Sequence, residues 1–107
     1  MLPPDKVVKA LLRKEGIQVN KAVNDGVTPL LKAVMSGHMK VIELLLEKEG
    51  VDVNKANTSG KTPLFYAASY GHDKVVRALL RKEGIQVNKA VNNVDGYTPL
   101  LKAVISH

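Results

Sequence analysis

Apolar residues return along this chain in two alternating rhythms. Between His38 and Gly50, Val41, Ile42, Leu45 and Leu46 fall at i, i+1, i+4 and i+5, an apolar stripe with helical period. The shorter run from Thr28 to Ser36 sets Leu30, Ala33 and Val34 on one face and Lys32, Met35 and Ser36 on the opposite one. The spacing predicts a short first helix followed by a longer second helix. Thr28 is placed to cap the first, Pro29 is preset for its opening position, and Gly37 can end it with a left-handed φ. Gly50 stands where the second helix would be capped. After it, "VDVNKANTSG" pairs β-branched residues with an Asn/Thr/Ser/Gly cluster, which suits an extended stretch entering a tight turn.

This unit is written more than once. "DKVVKALLRKEGIQVNKAVN" at residues 5–24 recurs at 73–92 with one change, Lys9 to Arg77. Gly16, Gly50 and Gly84 keep a step of 34, as do the Val-Asn-Lys triplets beginning at Val19, Val53 and Val87. Gly26, Gly60 and Gly96 step by 34 and then 36, because "VNNVDG" holds two residues more than "VNDG". A period of this size means stacked supersecondary units, each roofed by its neighbours, and the pattern above makes each unit helix, turn, helix and extended loop.

Two segments, "GVTPLLKAVMSGHMKVIELLLEKEGVDVN" and "GKTPLFYAASYGHDKVVRALLRKEGIQVN", resemble ankyrin repeats. Thr-Pro-Leu, Ala, Gly-His, the Val-rich helix and Gly-x-x-Val-Asn all stand at the family's offsets. The resemblance implies an all-α solenoid of stacked helix-turn-helix units joined by hairpin-like loops. It divides the chain into a half repeat at 1–25 (second helix and loop), full repeats at 26–59 and 60–95, and a half repeat at 96–107 (first helix). Where the family usually carries His after Thr-Pro-Leu, this chain has Leu31, Phe65 and Leu101, so apolar packing is expected in place of that residue's hydrogen bonds.

The frame begins within a second helix, Asp5 to Glu15, and closes within a first helix, Thr98 to His107. Val7, Val8, Leu11 and Leu12 at one end, and Leu100, Leu101, Val104 and Ile105 at the other, are apolar faces in want of a cover. Head-to-tail stacking of copies would supply one, through a heterologous contact that runs into open chains or rings; a segment of a longer array and a monomer with frayed ends are the alternatives.

The polar faces of the short helices offer a surface for recognition. Lys32 and Met35 lie there with Ser36, then Tyr66, Ser69 and Tyr70, then Lys102, Ile105 and Ser106. The ankyrin resemblance adds the loop tips: Asn24, Asp25 and Val27, then Thr58, Ser59 and Lys61, then Asn93, Val94 and Tyr97. Tyr66, Tyr70 and Tyr97 are the suggestive members, since tyrosine is enriched among binding hot spots. The alternative is that these rings only cover neighbouring repeats.

Composition narrows the function classes. With no cysteine there is no disulfide, thiolate metal site or thiol nucleophile. The residue content is 45% hydrophobic and only 4% aromatic, so the core must be aliphatic. "MLPPDKVV" lacks the apolar run of a secretory signal, from which an intracellular protein, cytoplasmic or nuclear, is expected. The net charge of +6 favours acidic partners and solubility. The basic residues Lys6, Lys9, Arg13 and Lys14, and Lys74, Arg77, Arg81 and Lys82, mark second helices, with Lys40, Glu43, Glu47 and Lys48 mixed between them. Solvated faces are the simplest meaning, with nucleic acid disfavoured.

Three motifs are decoys. "SGKT" at 59–62 lacks the earlier glycine of a phosphate-binding loop, since Lys55 stands there. "NTS" at 57–59 reads as the turn rather than as a glycosylation acceptor. His38 and His72 recur with the repeat, and are expected to satisfy nearby backbone groups rather than bind metal. No catalytic constellation, cofactor motif or membrane segment is seen, so the leading expectation is a non-catalytic scaffold that binds another protein. A self-assembling or engineered repeat unit is the alternative, and capture of an acidic partner or nucleic acid by the basic helices is a weaker one.

Overall fold

A computed structural model describes residues 4–89 and 96–106 of the chain. Six helices follow one another: α1 (Pro4–Leu12), α2 (Pro29–Ser36), α3 (Met39–Glu47), α4 (Pro63–Ser69), α5 (Asp73–Leu80) and α6 (Pro99–Ser106). Among the described residues there is no strand. The helices form two rows. α2 packs on α4 and α4 on α6, while α1 packs on α3 and α3 on α5. Within a layer, α2 pairs with α3 and α4 with α5. The result measures 40 × 28 × 24 Å, with the single long axis that one-directional stacking requires. The predicted all-α pile of helical hairpins is therefore what the chain forms.

Local chemistry starts the inner helices. Thr28 and Thr62, both buried and extended, accept from Leu31 N–H at 3.2 Å and Phe65 N–H at 3.1 Å, which satisfies donors that a helix start leaves orphaned. Thr98 does the same for Leu101 N–H at 3.3 Å. Gly37, at φ +71°, closes α2 with its N–H directed to the Ala33 and Val34 carbonyls.

The outer helices stop earlier than predicted. α3 ends at Glu47, not at Gly50, and α1 ends at Leu12 rather than Glu15. The last apolar contributions, Leu46 and Leu12, have by then been made, and short helices persist mainly where packing holds them. Gly50 sits further on, in a turn where Val51 N–H reaches the Lys48 carbonyl at 3.2 Å.

One core runs through both complete hairpins. Leu30, Ala33, Val34, Ile42, Leu45, Leu46 and Val53 join Leu64, Ala67, Val75 and Leu79 in one buried cluster. Leu31 and Phe65 are buried at the positions that would carry His in related repeats, as expected from their apolar character, whereas Leu101 is 43% exposed.

Asparagine side chains tie the layers together. Asn20 donates to the Gly50 carbonyl at 2.8 Å and accepts from Asp52 N–H at 2.7 Å. One repeat later Asn54 donates to the Gly84 carbonyl at 2.8 Å and accepts from Gln86 N–H at 2.8 Å. The loops stack as well: Thr58 donates both its N–H, at 3.0 Å, and its hydroxyl, at 3.1 Å, to the Asp25 carbonyl.

Candidate functional site

The inner row and its loops build the candidate interface. α4 begins at a Thr62 cap and carries Tyr66, Ser69 and Tyr70 along the side turned away from Leu64, Ala67 and Ala68, which are buried. α6 stacks beside it and brings Lys102 toward Tyr97, which precedes the Thr98 cap. Between them lies a recess of about 300 Å³. The sequence-predicted residues Lys61, Tyr66, Ser69, Tyr70, Tyr97 and Lys102 all line it, together with Phe65.

The aromatic residues form a connected array. Phe65 meets Tyr66 edge to face at 6.0 Å, Tyr66 meets Tyr70 at 5.9 Å, and Tyr70 meets His72 edge-on at 5.6 Å. Tyr70 is 46% exposed, while Tyr66 and Tyr97 are half-buried. Tyr66 has a structural duty too: its hydroxyl accepts from Asn57 Nδ2 at 2.8 Å. The Asn57 side-chain oxygen Oδ1 accepts from Ser59 N–H at 3.1 Å and from Lys61 N–H at 3.0 Å, so one side chain fixes the loop tip and anchors it to α4.

Two cations overhang the rings. Lys61 Nζ lies 5.9 Å from the Phe65 centroid and 6.0 Å from that of Tyr66, and Lys102 Nζ lies 5.7 Å from that of Tyr97.

The other predicted residues do not join this recess. Val27, Lys32 and Met35 line a separate hollow of about 450 Å³ with Lys21 and Val23. Asn24 and Asp25 are exposed at the first loop tip, and Thr58 and Ser59 at the second, where the Thr58–Asp25 and Ser59–Asn57 bonds hold the loops in shape. Asn93 and Val94 lie outside the described residues. Phe65 was read from the sequence as packing alone, yet its ring also walls the recess; its place next to Tyr66 was the available signal.

The apolar ends are open among the described residues. Val7 and Leu11 are 45% and 54% exposed, with Val8 and Leu12 half-buried. Val8, Leu11 and Leu12 line a groove of about 400 Å³ between α1, α2 and α3. Leu100, 74% exposed, lines a second groove of about 520 Å³ with Leu64, Val76 and Leu80, whereas Leu101, Val104 and Ile105 are exposed outside it.

Two details differ from the sequence reading. Lys48 is no freely solvated outer charge: its Nζ turns back to the Leu12 carbonyl at 2.9 Å and caps the preceding outer helix. His38 and His72 precede α3 and α5 without capping them through their side chains. The His72 ring instead lies under Tyr70 and within 3.8 Å of where a side chain on Gly37 would begin. Among the described residues no group of three or more His, Asp or Glu side chains could hold a metal ion.

No described helix is long and apolar enough to cross a membrane. No curated protein matches the sequence. A family model described as ankyrin repeats (3 copies) matches residues 4–91 and again 51–107. The two-row stack, the Thr-Pro helix starts and this match agree: the chain belongs to the ankyrin repeat family.

Proposed function

We propose that the chain is a non-catalytic scaffold that grips a partner protein through the inner face of α4 and α6 and the adjoining loop tips. Ankyrin repeats are generally protein-interaction modules, typically without enzymatic activity. The observation that carries the finer reading is the convergence of Tyr66, Tyr70 and Tyr97 on one recess. Aromatic anchors around a concavity are the usual centre of binding energy. The role needs no chemistry of the chain's own, and its setting is inside the cell, in cytoplasm or nucleus.

Selection of displayed random twelve-residue peptides against the folded chain tests this. Selected binders should lose most of their affinity for a Tyr70→Ala/Tyr97→Ala variant whose far-ultraviolet circular dichroism is unchanged. Equal binding to the variant sinks the reading.

The open apolar faces support a second reading, in which α6 of one copy covers the groove beside α1 of the next. Static light scattering over a concentration series should then show growth in mass that Val8→Asp or Leu101→Asp abolishes. A strict monomer at high micromolar concentration removes this reading.

A further inference from the structure

The recess between α4 and α6 is charged as well as aromatic, and its charge has one sign. Lys61 and Lys102 overhang it from two sides, and no acidic residue lines it. Among the described residues neither ammonium has a carboxylate within 4.0 Å; the one ion pair, Arg77 to Asp73, belongs to α5. A ring face offers a lysine partial compensation only, and its N–H donors stay available. Tyr66 adds another donor, because its oxygen is engaged by Asn57 as an acceptor and its own O–H proton has no acceptor among the described residues.

The inventory of the recess is thus aromatic ring walls, two cations and the hydroxyls of Tyr66, Ser69, Tyr70 and Tyr97. Its complement is an apolar or aromatic side chain flanked by carboxylates. A volume of about 300 Å³ has room for one bulky side chain and not for a folded element. We propose that this recess binds an acidic linear segment of a partner protein, seating one apolar or aromatic side chain against Tyr70 and Tyr97 and placing carboxylates on Lys61 and Lys102. The inference rests on the interaction-module reading above and specifies the chemistry of its partner.

Charge at longer range agrees in sign. A net charge of +6 raises the local concentration of acidic segments and speeds their encounter. A single-stranded nucleic acid is also anionic and also stacks on aromatic rings, but it stacks successive bases along a cationic track. Here the rings converge on one recess, which favours a single anchor residue.

The peptide selection described above decides the matter when its binders are resynthesised and titrated by fluorescence anisotropy. Selected sequences should place Asp or Glu on either side of Phe, Tyr, Leu or Met. Replacing those acids by Asn or Gln should weaken binding about tenfold, as should Lys61→Gln/Lys102→Gln in the protein, and the two changes together should cost little more than either. Circular dichroism and urea midpoints establish that the lysine variant is folded.

Binders that are neutral or basic yet depend on Tyr70 and Tyr97 overturn the acidic preference and leave the interaction module standing. Binders indifferent to both tyrosines, or a selection that yields none, overturn both. A single-stranded DNA oligonucleotide that binds more tightly than every acidic peptide, and loses that binding in the lysine variant, overturns the proposal in favour of nucleic acid.

Discussion

The side-chain amide of Asn20 donates to the main-chain carbonyl of Gly50, thirty residues away in sequence and 2.8 Å away in space. Because its oxygen also accepts from Asp52 N–H, this one residue satisfies two backbone groups of the next layer. Asn54 repeats the arrangement with Gly84 and Gln86. Asn20→Ala and Asn54→Ala should each lower stability by about 1 kcal/mol, the two nearly additive, as read from urea unfolding. A change near zero for both would mean that water replaces the rungs at no cost.

Gly26 and Gly50 separate conformational strain from collision. Both hold positive φ, +78° and +86°. A Cβ on Gly50 meets nothing within 4 Å, but one on Gly26 would lie 2.9 Å from Thr58 N, whose N–H is bonded to Asp25. Gly50→Ala should cost about 1 kcal/mol from the backbone alone, and Gly26→Ala about twice that or more, since the loop stack must part. Matched chemical denaturation curves would show the ordering.

Thr62 is buried, and its hydroxyl serves the Phe65 amide at the start of α4. Thr62→Val keeps the volume and removes the acceptor, so it should destabilise by about 1–2 kcal/mol, while Thr62→Ser should retain most of the stability. Since α4 carries the aromatic recess, the Val variant should also broaden the ring resonances of Tyr66 and Tyr70 in proton NMR spectra.

Leu79 is fully buried where α5 closes over the core, and Leu100 is 74% exposed on α6. Leu79→Ala should cost about 3 kcal/mol, through lost burial and the cavity left behind. Leu100→Ala should change monomer stability by less than about 0.5 kcal/mol. The same pair distinguishes a packed layer from an uncovered one.

Much of this architecture was legible in the residues. The step of 34 announced layers, Thr28 and Pro29 announced the start of a short helix, and the spacing of Ile42, Leu45 and Leu46 announced which side of α3 is buried. What stayed hidden depended on partners a full layer away. Lys48 carries no mark in the sequence that it reaches Leu12, because that contact exists only once α3 lies on α1. The Asn recurrence was visible while its bonds to Gly50 and Gly84 were not, for the same reason.

The recess was half legible. Tyr66, Tyr70 and Tyr97 were picked out by residue type, but a linear sequence does not say which loop tip stands opposite which helix. Stacking of α6 on α4 brings Tyr97 to the recess that Tyr70 also lines and leaves Met35 and Lys32 at a separate hollow.

Since, among the described residues, each hairpin packs chiefly on the hairpins before and after it, this molecule has no single keystone. Damage at Leu79 should loosen α5 and the neighbours it supports before it reaches α2, and amide exchange would then fade layer by layer instead of vanishing at once. A partner lying across α4 and α6 would clasp two adjacent layers, so its grip would double as a brace against unzipping.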